Sequence, residues 1–333
     1  MKNSSSCLRF GTALAAGLVA ALPLMTPAAA QEWPSRPVSL VIPFAPGSAS
    51  DVVGRVFAGR LSEILGQQVV VENVGGAGGT IGVTRVSKAT PDGYQFVMGG
   101  IDTMAMSRAL YKKLAYDPLT DFEPVAMVAE QPIVLLTRKD LPVKNLQEFI
   151  DHLKKNPGKL QYGSAGVGSA SHLSCAQLIG AAGVEAVHVP YRGSAPAMQD
   201  AMAGRLDFIC ALGAAAMPQI ENQTLTPIAT LAATRSPLLP DIATASEQGL
   251  KDFEAPFWSA FFVPKGTPAD VIKKLQEATV KLIETPGLGD RLKKAGSNFV
   301  TVDRADPEYL KGFLKSEVDK WGKIISASGI SLD

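Results

Sequence analysis

The chain has 333 residues, with 32 lysine and arginine against 31 aspartate and glutamate, and 46% of it is apolar. A net charge of +1 argues against a nucleic-acid-binding domain, and the apolar content excludes intrinsic disorder. Three cysteines are too few for a disulfide scaffold, so the composition points to an ordered α/β protein with room for one large unit or two ordinary domains.

Lys2 and Arg9 precede an uncharged apolar run over 10–24, and Thr26-Pro27-Ala28-Ala29-Ala30 then places small residues ahead of Gln31. This is the three-part pattern of an export signal peptide, with cleavage expected after Ala30. The run is shorter than the roughly 20 residues that span a bilayer. Cys7 would leave with the peptide, so Cys175 and Cys210 remain. An oxidising compartment would permit a disulfide between them, but two small buried thiols are the expectation. No Cys or His spacing suggests a metal site, and no cofactor is expected.

Hydrophobic patterning then alternates. A strand is predicted over 38–44, a helix over 50–65, a strand over 68–72, a helix over 80–87 and a strand over 94–98. Strands over 125–128 and 133–136 precede a helix over 146–155, a strand over 160–162 and a helix over 169–180. Strands over 186–189, 208–211 and 227–231 interleave with helices over 196–203 and 214–220. After a strand over 258–263, helices over 268–283, 287–294 and 306–327 close the chain. This order predicts an α/β fold of two mostly parallel sheets flanked by helices. Pro-bearing joints at Gln131-Pro132 and Ala255-Pro256 bracket a central block. They divide the mature chain into a discontinuous lobe (31–131 with 256–333) and a second lobe (132–255), joined by two crossovers that would make a hinge.

Ligands of open α/β sheets bind at the carboxyl ends of strands, over helix N-termini. The first such loop is Pro43-Phe44-Ala45-Pro46-Gly47-Ser48-Ala49-Ser50-Asp51. Its glycine admits close backbone approach, and its serines sit where a helix begins, a setting that favours an anion or an ordinary N-cap. Asp51 reads as a first-turn stabiliser. The second loop is Gly163-Ser164-Ala165-Gly166-Val167-Gly168-Ser169-Ala170-Ser171-His172, a donor-rich turn between strand and helix. Its spacing matches neither the dinucleotide fingerprint nor the Walker loop. His172 reads as a packed neutral histidine or as a group bordering the site. Tyr191 and Arg192 leave the next strand, where Tyr191 can cover an apolar ligand body and Arg192 can pair with a carboxylate or simply lie at the surface. Asp207 borders the same cleft or caps a turn. Asp102 and Thr103 lie in a loop ending another strand, and Gly75 to Gly79 reads as a structural turn. No G-x-S-x-G elbow, H-E-x-x-H motif or nucleophile–base pattern is present, so nothing in the sequence asks for an enzyme.

These loops lie within longer runs: PSRPVSLVIPFAPGSASD after Trp33, VENVGGAGGTIG, ATPDGYQF, ALYKKLAYDPLTDFEPVAMV, YGSAGVGSASHL, HVPYRGSAPAMQDAMAGRLD and FFVPKGTPADVIKKL. In this order, over nearly all of residues 33–330, they resemble the substrate-binding proteins of tripartite tricarboxylate transporters, the Bug receptors. The resemblance implies a periplasmic, Venus-flytrap receptor that closes over a small organic carboxylate and delivers it to an integral membrane permease, and a monomer is expected. It implies ligand contacts from Phe44, Pro46, Gly47 and Ser48 on one side. On the other it implies Ser164, Ala165, Gly166, Gly168 and Ser169, with His172, Tyr191 and Asp207 nearby.

The chain departs from the family pattern where Ser48 replaces a usual glycine and where Ser107-Arg108 replace a usual Asn-Pro. It departs again at Asp102, where small or hydroxyl residues are usual. A buried carboxylate there would repel a second anionic group, so the distal end of the ligand is expected to be neutral, hydroxylated or cationic. Two rivals stay open on the same architecture: a receptor that signals to a membrane sensor, and an exported enzyme using Asp207 or His172.

Overall fold

The computed structural model describes residues 32–328. The export peptide expected over residues 1–30 lies outside them.

The first segment runs β1 (Val38–Ile42), α1 (Ala49–Leu65), β2 (Val69–Asn73), α2 (Thr80–Ser87), β3 (Gln95–Gly100), α3 (Ser107–Leu110) and β4 (Phe122–Gln131). The second runs β5 (Ile133–Thr137), α4 (Leu146–Lys155), β6 (Gln161–Ser164), α5 (Ala170–Ala182), β7 (Val187–Pro190), α6 (Ser194–Met202), β8 (Phe208–Leu212), α7 (Gly213–Glu221) and β9 (Thr226–Thr230). The last runs β10 (Phe257–Pro264), α8 (Ala269–Ile283), α9 (Leu288–Lys294), β11 (Asn298–Phe299) and α10 (Pro307–Ser328). Two sheets result, ordered β11-β4-β10-β3-β1-β2 and β7-β6-β8-β5-β9, and the fold is two-lobed α/β.

Local sequence accounts for most of these elements. In α1, Val53, Phe57, Ala58 and Leu61 recur on one face and are buried, while Gly66 ends the helix at φ +67°. In α4, Leu146, Phe149, Ile150 and Leu153 form the buried stripe, and the Asn145 side chain accepts from the Glu148 N–H at its start. All eight residues of β10 are buried, as an unbroken apolar run predicts for a central strand. Phe261 of β10 meets Phe57 and Phe96 edge-on, at centroid distances of 5.9 and 5.2 Å.

Three features differ from the sequence reading. The sheets are mixed rather than mostly parallel: β1 pairs β2 and β3 in parallel, and β6 pairs β7 and β8 in parallel. By contrast β10 is antiparallel to β3 and β4, and β5 to β8 and β9. Parallel pairing follows the strand–helix–strand units, whereas β5 and β10 enter their sheets directly from the other segment with no crossover helix to set their direction. Next, the chain leaving β3 is helical at once, with a π-helical turn over Asp102–Met106 leading into α3, so Asp102 and Thr103 sit on a helix start and not in a loop. The Thr103 hydroxyl accepts the Gly100 N–H at 3.0 Å and fixes that bend.

The third difference is chemical. Cys175 and Cys210 form a disulfide across a Cα separation of 5.5 Å, correcting the expectation of two free thiols. They lie 35 residues apart in the chain, and only the packing of α5 over β8 brings them within bonding reach. Closing a loop of that length stabilises the fold by roughly 3–4 kcal/mol on chain-entropy grounds. The double substitution Cys175→Ser with Cys210→Ser is expected to lower the unfolding free energy from urea titration by that amount and to make the urea midpoint insensitive to reductant, which the wild-type midpoint is not.

Candidate functional site

The loop from β1 to α1 is organised by reciprocal capping. Ser48 stands at the N-cap, and its hydroxyl accepts the Asp51 N–H at 3.2 Å. Asp51 reaches back to accept the Gly47 N–H at 2.8 Å. Gly47 turns the chain at φ +75°. The Asp51 carboxylate also accepts from Asn73 Nδ2 and Arg55 Nε. Burial pushes its pKa up, but the hydrogen bonds from Arg55, Gly47 and Asn73 outweigh that and hold it below the usual carboxylate range.

The loop from β6 to α5 is held from beneath. The Ser169 side chain caps α5, the Gly166 N–H donates to Ser164 Oγ at 3.1 Å, and the Ala165 N–H donates to Ser171 Oγ at 2.9 Å. The Gly168 N–H donates to His172 Nδ1 at 3.1 Å, and Ser164 Oγ lies 2.6 Å from His188 Nε2. His172 and His188 stack with centroids 4.0 Å apart, and Tyr162 continues the stack over His188 at 4.9 Å. Burial holds both imidazoles down to about 4, with repulsion from His172 adding to the effect on His188. His172 is therefore a neutral acceptor supporting the loop from the protein side, the packed of its two sequence readings.

The two loops meet. A cavity of about 20 Å³ lies between them, lined by Phe44, Ser48, Ser50, Asp102, Ala165, Ser169, Ser171 and Ser194 among others. The starts of α1, α5 and α6 converge there. The Ala49 N–H donates to Ser194 Oγ at 3.3 Å, and the Ala170 N–H donates to Asp102 Oδ2 at 3.0 Å. The backbone N–H groups of Ser50 and Ser171, one in the first turn of each facing helix, have no partner among the described residues. No lysine or arginine lines this space. Asp102 is 2% exposed, and burial raises its pKa to about 6 against the pull of backbone N–H donors. The site therefore offers neutral donors and helix dipoles to an acidic group, with one carboxylate already in its wall.

Pro46, Gly166, Tyr191 and Arg192 lie further out, around an open groove of about 1070 Å³. Tyr191 donates its hydroxyl to Asp200 at 2.5 Å, and burial, helped by Asp200, pushes its pKa up to about 12. Asp207 is not brought to the cleft. It precedes β8, at the opposite end of the strand from the cavity, where it accepts from Arg138 Nε at 2.9 Å and the Gln161 N–H at 2.7 Å. A parallel neighbour fixes this: β6 and β8 share direction, so the residue before β8 lies level with the start of β6. Ser194 escaped the sequence reading, although a Gly-Ser pair opening a helix after a strand was a usable signal. The Gly75–Gly79 turn, taken as structural, touches the facing loop. A Cβ on Gly78 would sit 2.4 Å from the Val167 carbonyl oxygen, and the Tyr111 hydroxyl lies 2.9 Å from the Ala77 and 3.1 Å from the Val167 carbonyl oxygens.

The buried histidines predict an acid limb. Their pKa values fall from 6.5 unfolded to about 4 folded, so the unfolded chain takes up more protons in that window and stability drops as pH falls through it. Asp102, raised from 3.8 to about 6, acts in the opposite direction but is one group against two. Unfolding by urea should show a net loss on the order of 2 kcal/mol between pH 7 and 5. His172→Asn combined with His188→Asn should abolish that loss and leave the weaker, opposite slope of Asp102, and an unchanged slope would show that the imidazoles are not the cause.

A family model described as tripartite tricarboxylate transporter family receptor matches residues 53–330. Among solved structures, the periplasmic binding protein BugD is 37% identical, with 90% of this chain and 99% of that one covered at a TM-score of 0.87. An R. palustris protein with adipate is 32% identical, covering 90% and 99% at a TM-score of 0.86. MatC from Rhodopseudomonas palustris, with bound malate, is 34% identical, covering 88% and 100% at a TM-score of 0.85. The two-lobed fold, the match along the chain and these likenesses agree: this chain belongs to the tripartite tricarboxylate transporter receptor family, the periplasmic solute-binding Bug receptors.

Proposed function

We propose that the protein binds a small organic carboxylate between its lobes and delivers it to the integral membrane permease of a tripartite tricarboxylate-type transporter. The observation that carries this reading is the pair of unpartnered N–H groups, Ser50 and Ser171, on helices that face each other across the cleft. An acidic group placed there would accept from both and complete two helix starts at once. Adipate and malate in the two R. palustris relatives support a carboxylate as the ligand class.

In this reading Gly47 and Ser48 shape one wall. Ser164, Ala165, Gly166, Gly168 and Ser169 shape the other, Phe44 covers the ligand's carbon skeleton, and Thr103 holds the bend that carries Asp102. The lobes comprise residues 31–131 with 256–333, and 132–255, with the hinge at the Pro132 and Pro256 joints. The closed cavity holds little more than a single water, so the lobes part to admit a ligand and close again to desolvate it. The closed form is what the permease would engage, and the cycle needs no covalent chemistry.

A thermal-shift panel of mono-, di- and tricarboxylates on refolded, ligand-free protein tests the reading. Ligand at about 100 times its Kd should add roughly 2.7 kcal/mol of stability. Ser50→Asp, which places a charge in the cavity, should weaken the best ligand at least about tenfold by like-charge repulsion, while Ser50→Asn stays within a few-fold of wild type. No shift with any acid on folded protein would refute the carboxylate assignment.

A further inference from the structure

Asp102 and Ala170 lie 68 residues apart, on the first-segment sheet side and at the start of α5 respectively, and their hydrogen bond crosses the cleft at 3.0 Å. The second carboxylate oxygen accepts the adjacent Thr103 N–H at 2.9 Å. An ionised carboxylate has about four acceptor positions, so two protein donors leave it half-satisfied while only 2% exposed. Several groups around it are already committed, whereas the Ser50 and Ser171 N–H groups are not. Tyr116 donates to the Thr103 carbonyl and Tyr111 bridges the Ala77 and Val167 carbonyls. Ser169 Oγ donates to the Gly166 carbonyl, and Ser171 Oγ accepts the Ala165 N–H. No other charged side chain lines the cavity.

We propose that Asp102 is a tethered carboxylate that takes the place of a ligand's second acidic group at the start of α5. It thereby latches the lobes together and restricts the receptor to ligands with a single carboxylate whose far end donates a hydrogen bond. An acidic group in free ligand and the Asp102 side chain offer the Ala170 N–H the same chemistry, and the side chain is permanently present at high effective concentration. Its spare acceptor positions face the cavity, where a hydroxyl, amide or ammonium completes them and a second carboxylate meets a like charge in desolvated space. The latch stands on the cross-cleft bond alone, whereas the specificity rests on the carboxylate-receptor reading.

Hydrogen exchange and small-angle scattering on ligand-free protein at pH 7.5 test the latch. In wild type the Ala170 amide should exchange more slowly than the neighbouring Ser171 amide, a comparison that needs no variant. Asp102→Ala should enlarge the radius of gyration and raise Ala170 exchange, with Asp102→Asn, which keeps an acceptor and loses the charge, between the two. Equal exchange of the two amides in wild type, or an Asp102→Ala protein as compact as wild type, would overturn it. Specificity is read with adipate against its monoamide. Wild type should favour the monoamide, and Asp102→Ala and Asp102→Asn should shift the ratio toward the diacid by about tenfold. An unchanged ratio refutes the specificity role. Loss of all carboxylate binding, with the exchange difference intact, would instead remove the functional reading and leave the latch.

Discussion

Backbone N–H groups at the start of a helix have no acceptor within the helix, and this cleft gathers three such starts where no cation intrudes. That shortage of acceptors governs the rest of the architecture. Ser194 meets one donor, Asp102 another, Asp51 and Ser48 two more, and the amides of Ser50 and Ser171 are left for whatever enters. In the proposed receptor, recognition by neutral amides and hydroxyls would suit release of the ligand, because a buried ion pair would tie binding and release to a large desolvation term.

Precision on the α5 side comes from a supporting layer. Tyr162, His188 and His172 stack under the glycine-serine loop, and the neutral imidazoles hold the Gly168 amide and the Ser164 hydroxyl in place. Cys175 ties the same helix to β8 one turn further along. Neutrality is essential to this support, since a protonated His172 could not accept from Gly168. The α1 side achieves comparable order with a single capping exchange and the Asn73 and Arg55 contacts to Asp51.

The crossings between sheets follow from the same economy of backbone. One proline separates β4 from β5, and the Pro132 carbonyl accepts the Gly213 N–H at 2.8 Å. Gly213 then packs so closely on Gly296 that a Cβ would fall 2.0 Å from the Gly296 carbonyl oxygen. The strands that carry the chain across are the ones that run antiparallel in their new sheets, which leaves the strand–helix–strand units free to point their carboxyl ends into the cleft.

Much of this was legible in the linear chain. Alternating apolar runs located nearly every strand and helix, and the Gly-Ser loops at strand ends marked both turns that border the cavity, because capping and close approach are local properties of a few adjacent residues. What the chain could not reveal depends on distances between residues far apart. The register of β6 against β8 removed Asp207 from the cleft, α5 lying over β8 joined Cys175 to Cys210, and the π-helical turn after β3 carried Asp102 across to Ala170. Asp102 could be singled out as unusual from sequence. Only the tertiary structure made it a partner of α5, because a hydrogen bond is decided by the few ångströms between two atoms and not by the residues that separate them along the chain.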